Sequence, residues 1–222
     1  MVAFPALARI DDFFVRTELD DKYEDATLRL ALDVTLREDC EVSVLLRDGP
    51  RGAVISTDKT SLSAGVSQAS RSLSVPNPHK WTAETPRLYT LEIKLYSGGE
   101  ESRSLRQEIT HRVGFRSVEL KNGNICVNGR PITFRGVNRH DHHPRRGRAV
   151  PWSFVRNDVL LMKRHNINAV RCSHYPSHPG LVGLCDELGL WVIDEADLEC
   201  HGFSMVADAA LERQETTFGN PA

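Results

Sequence analysis

No CxxC pair, no Asn-x-Ser/Thr sequon and no long apolar run occurs in the 222 residues. A membrane span needs roughly 18 consecutive apolar residues, so none is expected. The five cysteines (40, 126, 172, 185 and 200) are odd in number and follow no framework spacing. Reduced thiols are therefore expected rather than disulfides, and with them a cytoplasmic protein. "MVAFPALARIDD" lacks a basic stretch and reaches Asp11 and Asp12 too early for a secretory leader. Strong charge of either sign is missing too: a net charge of −2 gives no reason to expect nucleic acid or an anionic membrane as partner. No strand is followed by a Gly-rich phosphate turn, which weighs against nucleotide binding.

What is present falls into two halves with different rhythms. In the first, "ATLRLALDVTLRE" alternates, with Leu28, Leu30, Leu32, Val34 and Leu36 facing one way and Arg29, Asp33, Thr35 and Arg37 the other. Period two over that length is a strand with one buried face. "CEVSVLLRD", "GAVIST", "VSQASRSLSV" and "LYTLEIKLYSGG" follow; in the last, Tyr89, Leu91, Ile93 and Tyr96 are the apolar set. Short strands at hairpin spacing, punctuated by Gly and Pro, predict an all-β, immunoglobulin-like sandwich over residues 1–115. It carries no catalytic constellation.

From residue 116 to 222 the rhythm changes. Asn122-Gly123 and Asn128-Gly129, each between apolar runs, signal hairpins. A strand "ITFRGVN" leads into a His-rich loop. A helix over "SFVRNDVLLMKRHN" follows, with Ser153 able to cap it and Val155, Val159 and Met162 on one face. "INAVRCSHYP" is a short buried strand. "HPGLVGLCDELG" is a second helix, with Pro179 in its first turn and Gly189 as its C-cap. "LWVIDEAD" is the next strand. Strands alternating with helices through short connections imply a parallel sheet, either doubly wound or a barrel.

Six of the nine histidines lie in three stretches after these strands: "RGVNRHDHHP", "RCSHYPSHP" and "DEADLECHGF". In a barrel, functional residues sit at the carboxyl ends of the strands. Two chemistries use such a rim. A metallohydrolase would hold an activated water with His and carboxylates, and His140-Asp141-His142 offers a His-x-His start. A glycosidase would bind sugar hydroxyls with His and Asn, and place two carboxyls astride the glycosidic bond. Arg171 suits either, or a structural ion pair.

"NGRPITFRGVNRHDHHP", "LLMKRHNINAVRCSHYPSHP" and "LWVIDEADLECHG" resemble successive blocks of glycoside hydrolase family 2, most closely its large β-galactosidases. "RIDDFFVRTELDD" and "PHKWTAETPRLYTLEI" resemble the start and end of the sandwich that precedes the barrel there. Relatives acting on glucuronides or mannosides share the plan. The resemblance implies a multi-domain fold: an immunoglobulin-like sandwich followed by the first three β/α units of a (β/α)8 TIM barrel. It implies retaining hydrolysis of terminal β-D-galactosides, and a homo-oligomer for full-length members. By position, His140 and His174 would line the galactose subsite and Arg171 would stand beside the nucleophile. Glu199 and His201 would be ligands of an active-site Mg2+. Asn138, Asp194 and Glu195 would have supporting roles, and His142, His143 and His178 would shape loops. The family's acid/base Glu follows an Asn, and these 222 residues contain no Asn-Glu dipeptide. Neither catalytic glutamate is matched, so the chain by itself is expected to be inactive, or to act as a non-catalytic binding or assembly piece. Three units cannot close an eight-stranded barrel, so weaker protection is expected beyond about residue 116.

Overall fold

The structure, a computed structural model, describes residues 7–98 and 102–198. They form two compact units, the first ending at Thr133 and the second beginning at Phe134.

The first unit is all β. Strands β1 (Ala8–Leu19), β2 (Ala26–Leu36) and β5 (Gln68–Val75) form one antiparallel sheet in the order β1-β2-β5. Strands β3 (Cys40–Arg47), β4 (Val54–Leu62), β6 (Tyr89–Ser97) and β7 (Ser104–Val113) form a second, in the order β4-β3-β6-β7. The alternation explains why they pack. Leu28, Leu30, Leu32, Val34 and Leu36 of β2, Cys40, Val42, Val44 and Leu46 of β3, and Leu91, Ile93 and Leu95 of β6 are all buried in one continuous core. The intervening residues face outward and carry a charge ladder. Arg47 pairs with Glu92 at 2.8 Å, and Lys94 bridges Glu92 at 3.4 Å and Glu108 at 2.9 Å.

Tyr96 departs from the expected apolar face of β6. The inward phase continues through Leu95 and Ser97, so Tyr96 points outward, where the Arg103 guanidinium stacks 3.6 Å from its ring centroid. A tyrosine tolerates that place because its ring covers apolar stem while its hydroxyl stays wet. Strands β1 and β7 complete the sheets; β4 runs on past "GAVIST" to Leu62.

The two Asn-Gly pairs do what their chemistry allows. Strands β8 (Val118–Lys121), β9 (Asn124–Val127) and β10 (Arg130–Pro131) form a small antiparallel sheet. Asn122, Gly123, Asn128 and Gly129 all have positive φ, the geometry of a two-residue hairpin turn. Asn128 adds a tether: its Oδ1 accepts from Ser117 N–H at 2.9 Å and its Nδ2 donates to Trp81 O at 3.3 Å. By compactness this sheet belongs to the first unit.

The second unit alternates. Strand β11 (Gly136–Arg139), helix α1 (Trp152–Arg164), strand β12 (Ala169–Cys172), helix α2 (Pro179–Leu188) and strand β13 (Trp191–Ile193) follow in order, and β11-β12-β13 is a parallel sheet. Val155, Val159 and Met162 of α1 are buried, as their spacing predicts, against Val170 and Cys172 of β12 and Leu181, Leu184 and Cys185 of α2. Helix α2 starts with Pro179 at its first position and ends at Gly189, which is left-handed and donates its N–H to Cys185 O. The start of α1 differs from expectation. Pro151 is the N-cap residue and no side chain caps it, so Ser153 lies inside the first turn. Proline's fixed φ and missing N–H suit a helix start, which displaces the serine inward.

Among the described residues, no helix is long and apolar enough to cross a membrane. Cys40, Cys126, Cys172 and Cys185 are buried free thiols.

Candidate active site

The register of the parallel sheet assembles the site. Asn138 of β11 lies beside Arg171 of β12, which lies beside Ile193 of β13. Each strand then releases its functional residue at its carboxyl end: His140 after β11, His174 after β12, and Asp194 and Glu195 after β13. That is the end of a parallel sheet where loops of different strands converge.

Arg171 is the hub. Its Nε donates to Glu195 Oε1 in a close ion pair, its Nη1 reaches Asn138 Oδ1 at 3.5 Å, and its Nη2 lies 3.2 Å from His174 Nδ1. Glu195 Oε2 lies 3.4 Å from the same Nδ1. That nitrogen accepts from the guanidinium when it carries no proton and donates to the carboxylate when it carries one, so the tautomer sets its partner. Glu195 is only 20% exposed, so it leans on these partners. The His140 and His174 rings meet edge to face, centroids 5.4 Å apart. Tyr175 stands 6.1 Å from His140, and the Arg148 guanidinium lies 4.0 Å over its ring. The Ser173–His174 peptide is cis.

His140, Arg171, His174, Asn138 and Glu195 are therefore brought together. Asp194 stands beside the buried Cys172, whose thiol pKa is raised by burial and by that carboxylate, partly offset by Ser177. Three other histidines of these loops make local contacts. His143 Nδ1 accepts from Arg145 N–H at 3.1 Å and its ring packs on Phe154. His178 Nδ1 accepts from Gly180 N–H at 3.0 Å, capping α2, with its ring against Trp152. His142 donates its backbone N–H to His140 O at 2.9 Å. Glu199 and His201 lie outside the described residues.

The described residues give the His-x-His alternative no support. No group of three or more His, Cys, Asp or Glu among the described residues is arranged to hold a metal. Asp141, between His140 and His142, is engaged elsewhere. Its Oδ1 takes a close ion pair from Arg139 Nη1 and its Oδ2 accepts from His178 N–H at 3.3 Å. Arg139 also donates through Nε to Asp158 of α1 at 3.0 Å. Its side chain is only 5% exposed. Burial works against its charge, but the two carboxylates outweigh it and raise the guanidinium pKa further. The sequence carries no signal for this cluster, because Asp158 is 19 residues from its partner and reads as part of a helix's polar face.

A hollow of about 630 Å³ lies over the outer face of β1-β2-β5, beside Phe14 and Arg16, with Asp58 of β4 at its edge. Its two carboxylates are already engaged, Glu18 by Arg29 at 2.8 Å and Asp58 by Arg71 at 3.3 Å, so it offers no catalytic pair.

Comparisons with known proteins bear on the family of the chain. Residues 8–116 match the family profile "Glycosyl hydrolases family 2", and residues 118–221 match "Glycosyl hydrolases family 2, TIM barrel domain". The β-galactosidase of Kluyveromyces lactis is 47% identical over 221 residues, covering 91% of this chain and 21% of that protein. That of Pseudoalteromonas haloplanktis is 41% identical over 202 residues, covering 88% of this chain and 19% of its own length. The chain thus spans about a fifth of these relatives. Among solved structures, the β-glucuronidase of Parabacteroides merdae superposes with a TM-score of 0.76 at 22% identity, covering 86% of this chain and 24% of that one. A Ruminococcus gnavus β-glucuronidase does so with 0.71 at 25% identity, covering 85% and 30%. A β-sandwich, then a parallel β/α sheet with its polar residues at the carboxyl rim, matched along nearly its whole length by two profiles of one family: the chain belongs to glycosyl hydrolase family 2.

Proposed function

We propose that this chain supplies the sandwich and the first three β/α units of the barrel of a retaining β-galactosidase, and with them one wall of the galactose subsite. The observation that carries the reading is the cluster of His140, His174, Arg171, Asn138 and Glu195 at the carboxyl rim of β11-β12-β13. The sequence likeness to β-galactosidases favours galactosides over the glucuronides named for the structural neighbours.

The residues divide the work by chemistry. The imidazoles of His140 and His174 hydrogen-bond sugar hydroxyls, and their bonds strengthen as charge develops on the ring. Arg171 holds Glu195 and His174 in fixed positions, so that little reorganisation remains for the reaction. Glu199 and His201 would hold Mg2+. A hard carboxylate oxygen with one tolerated imidazole is a donor set that suits that ion. When bound, the ion supplies positive charge that orders neighbouring carboxyls. The two carboxyls of a retaining mechanism lie roughly 5–5.5 Å apart. The 222 residues contain no Asn-Glu pair to furnish the acid/base, so these residues alone hydrolyse nothing.

Exchanging the matching segment of the Kluyveromyces lactis β-galactosidase for this chain tests the reading. The hybrid should hydrolyse a nitrophenyl β-galactoside and leave the glucuronide intact. His174→Phe in that hybrid should lower kcat by about 10²–10³-fold. A folded hybrid that prefers the glucuronide, or turnover by the 222-residue chain alone, would refute it.

A further inference from the structure

Among the described residues of the second unit, Arg139 is the most buried charge, and its side-chain bonds go to Asp141 and Asp158 rather than to the polar groups of the Arg171 cluster. Its bonds nevertheless enclose both histidines of that cluster. On one side its Nη1 grips Asp141, two residues on, so that the residues before and after His140 are tied to each other across it. On the other side its carbonyl accepts from Ser173 N–H at 3.0 Å, and Ser173 directly precedes His174. Asp141 extends the grip to the end of the same loop by accepting from His178 N–H at 3.3 Å. The guanidinium is anchored in turn on α1 through Asp158 at 3.0 Å. A rigid helix and the loop after β11 thus meet on the Arg139 side chain, and the loop after β12 joins them through the Arg139 carbonyl and through Asp141.

From this we infer that Arg139 is a positioning residue, an ionic clamp that sets the edge-to-face meeting of His140 and His174 and so their aim at the sugar. The inference rests on the subsite reading above. Its physical basis is the planar fork of the guanidinium, which serves Asp141 and Asp158 in fixed directions at once. A lysine at 139 keeps the charge but not the fork. Removing the side chain leaves two carboxylates without their cation and frees the loop ends on either side of His140. Burial of the guanidinium, whose side chain is 5% exposed, makes the clamp stiff, since little water reaches it to replace either carboxylate.

The test uses the 222-residue chain with 15N-labelled histidine. Ring-nitrogen correlations report His140 and His174, and titration with isopropyl β-D-thiogalactoside reports binding. Arg139→Met should move both ring signals and weaken binding at least about tenfold. Arg139→Lys should rescue only part of this. Asp158→Asn, which loosens the anchor from the helix side, should give intermediate shifts while leaving the strands intact, and it decides the matter if Arg139→Met does not fold. Unchanged ring signals in folded Asp158→Asn and in any folded Arg139 variant would overturn the clamp. A parent chain that binds no thiogalactoside, with ring signals that still respond to Arg139 and Asp158, would uphold the clamp and refute the subsite reading instead.

Discussion

At the scale of single residues, the chemistry of a side chain depends on what surrounds it more than on its type. Arg171 and Arg139 are the same residue 32 positions apart, and both are ion-paired. One stands at the open rim, 36% exposed, with an imidazole in reach; the other is sealed between two loops and a helix. The sequence signalled Arg171 by its place at the end of an apolar strand and was silent on Arg139. Cys185 shows the same dependence. It is buried, and burial pushes its thiol pKa up to about 12 from 9.0. A raised folded value contributes stability that is present below the ordinary thiol value and is lost as pH rises from about 9 towards 12. At pH 8 its thiolate is scarce and shielded, so an alkylating reagent should leave Cys185 unmodified in native buffer and modify it fully in denaturant. Peptide mass mapping reads this out, and equal modification in both conditions would count against the packing of α2 on β12.

At the scale of elements, boundaries followed backbone chemistry where one residue type was irreplaceable. The Asn-Gly turns and the Pro179 and Gly189 ends of α2 were legible because few residues tolerate those geometries. The start of α1 was not, because a serine and a proline two residues apart both suit a helix start and only the three-dimensional path decides between them. Tyr96 misled for another reason: an aromatic counts as apolar in a periodicity argument, yet its phase puts it outside. Gly189 gives a measurable consequence. With φ at 78° and ψ at 64° it sits where a Cβ crowds the backbone, so Gly189→Ala should cost about 1–2 kcal/mol. Urea unfolding followed through Trp191 should show the loss as a lower midpoint at unchanged slope.

At the scale of the molecule, the two units differ in how their strands are secured. The sandwich buries one large core between sheets of three and four antiparallel strands. The second unit buries a smaller core, and among the described residues β11 and β13 each have one edge without a partner. Parallel strands are ordinarily covered on both faces and paired on both edges. Amides of β12 in the 222-residue chain should therefore exchange at least about tenfold faster than those of β3 and β6. Hydrogen–deuterium exchange with peptide resolution measures this, and equal protection would show that the second unit is as self-sufficient as the sandwich.

What the amino-acid order determined by itself is local and periodic. Alternation selected the inward faces of β2 and β3, helical spacing selected the buried face of α1, and Asn-Gly, Pro and Gly placed the turns and caps. Each depends only on near neighbours along the chain. The family blocks, too, were legible as strings. What only the tertiary structure decided is which side chains meet across elements. The joining of Arg171 to Glu195 and His174 spans up to 24 residues, and the grip of Arg139 on Asp158 spans 19. Such pairs form because sheet register and helix packing bring distant residues within ångströms of each other, and no periodicity in the sequence encodes that distance.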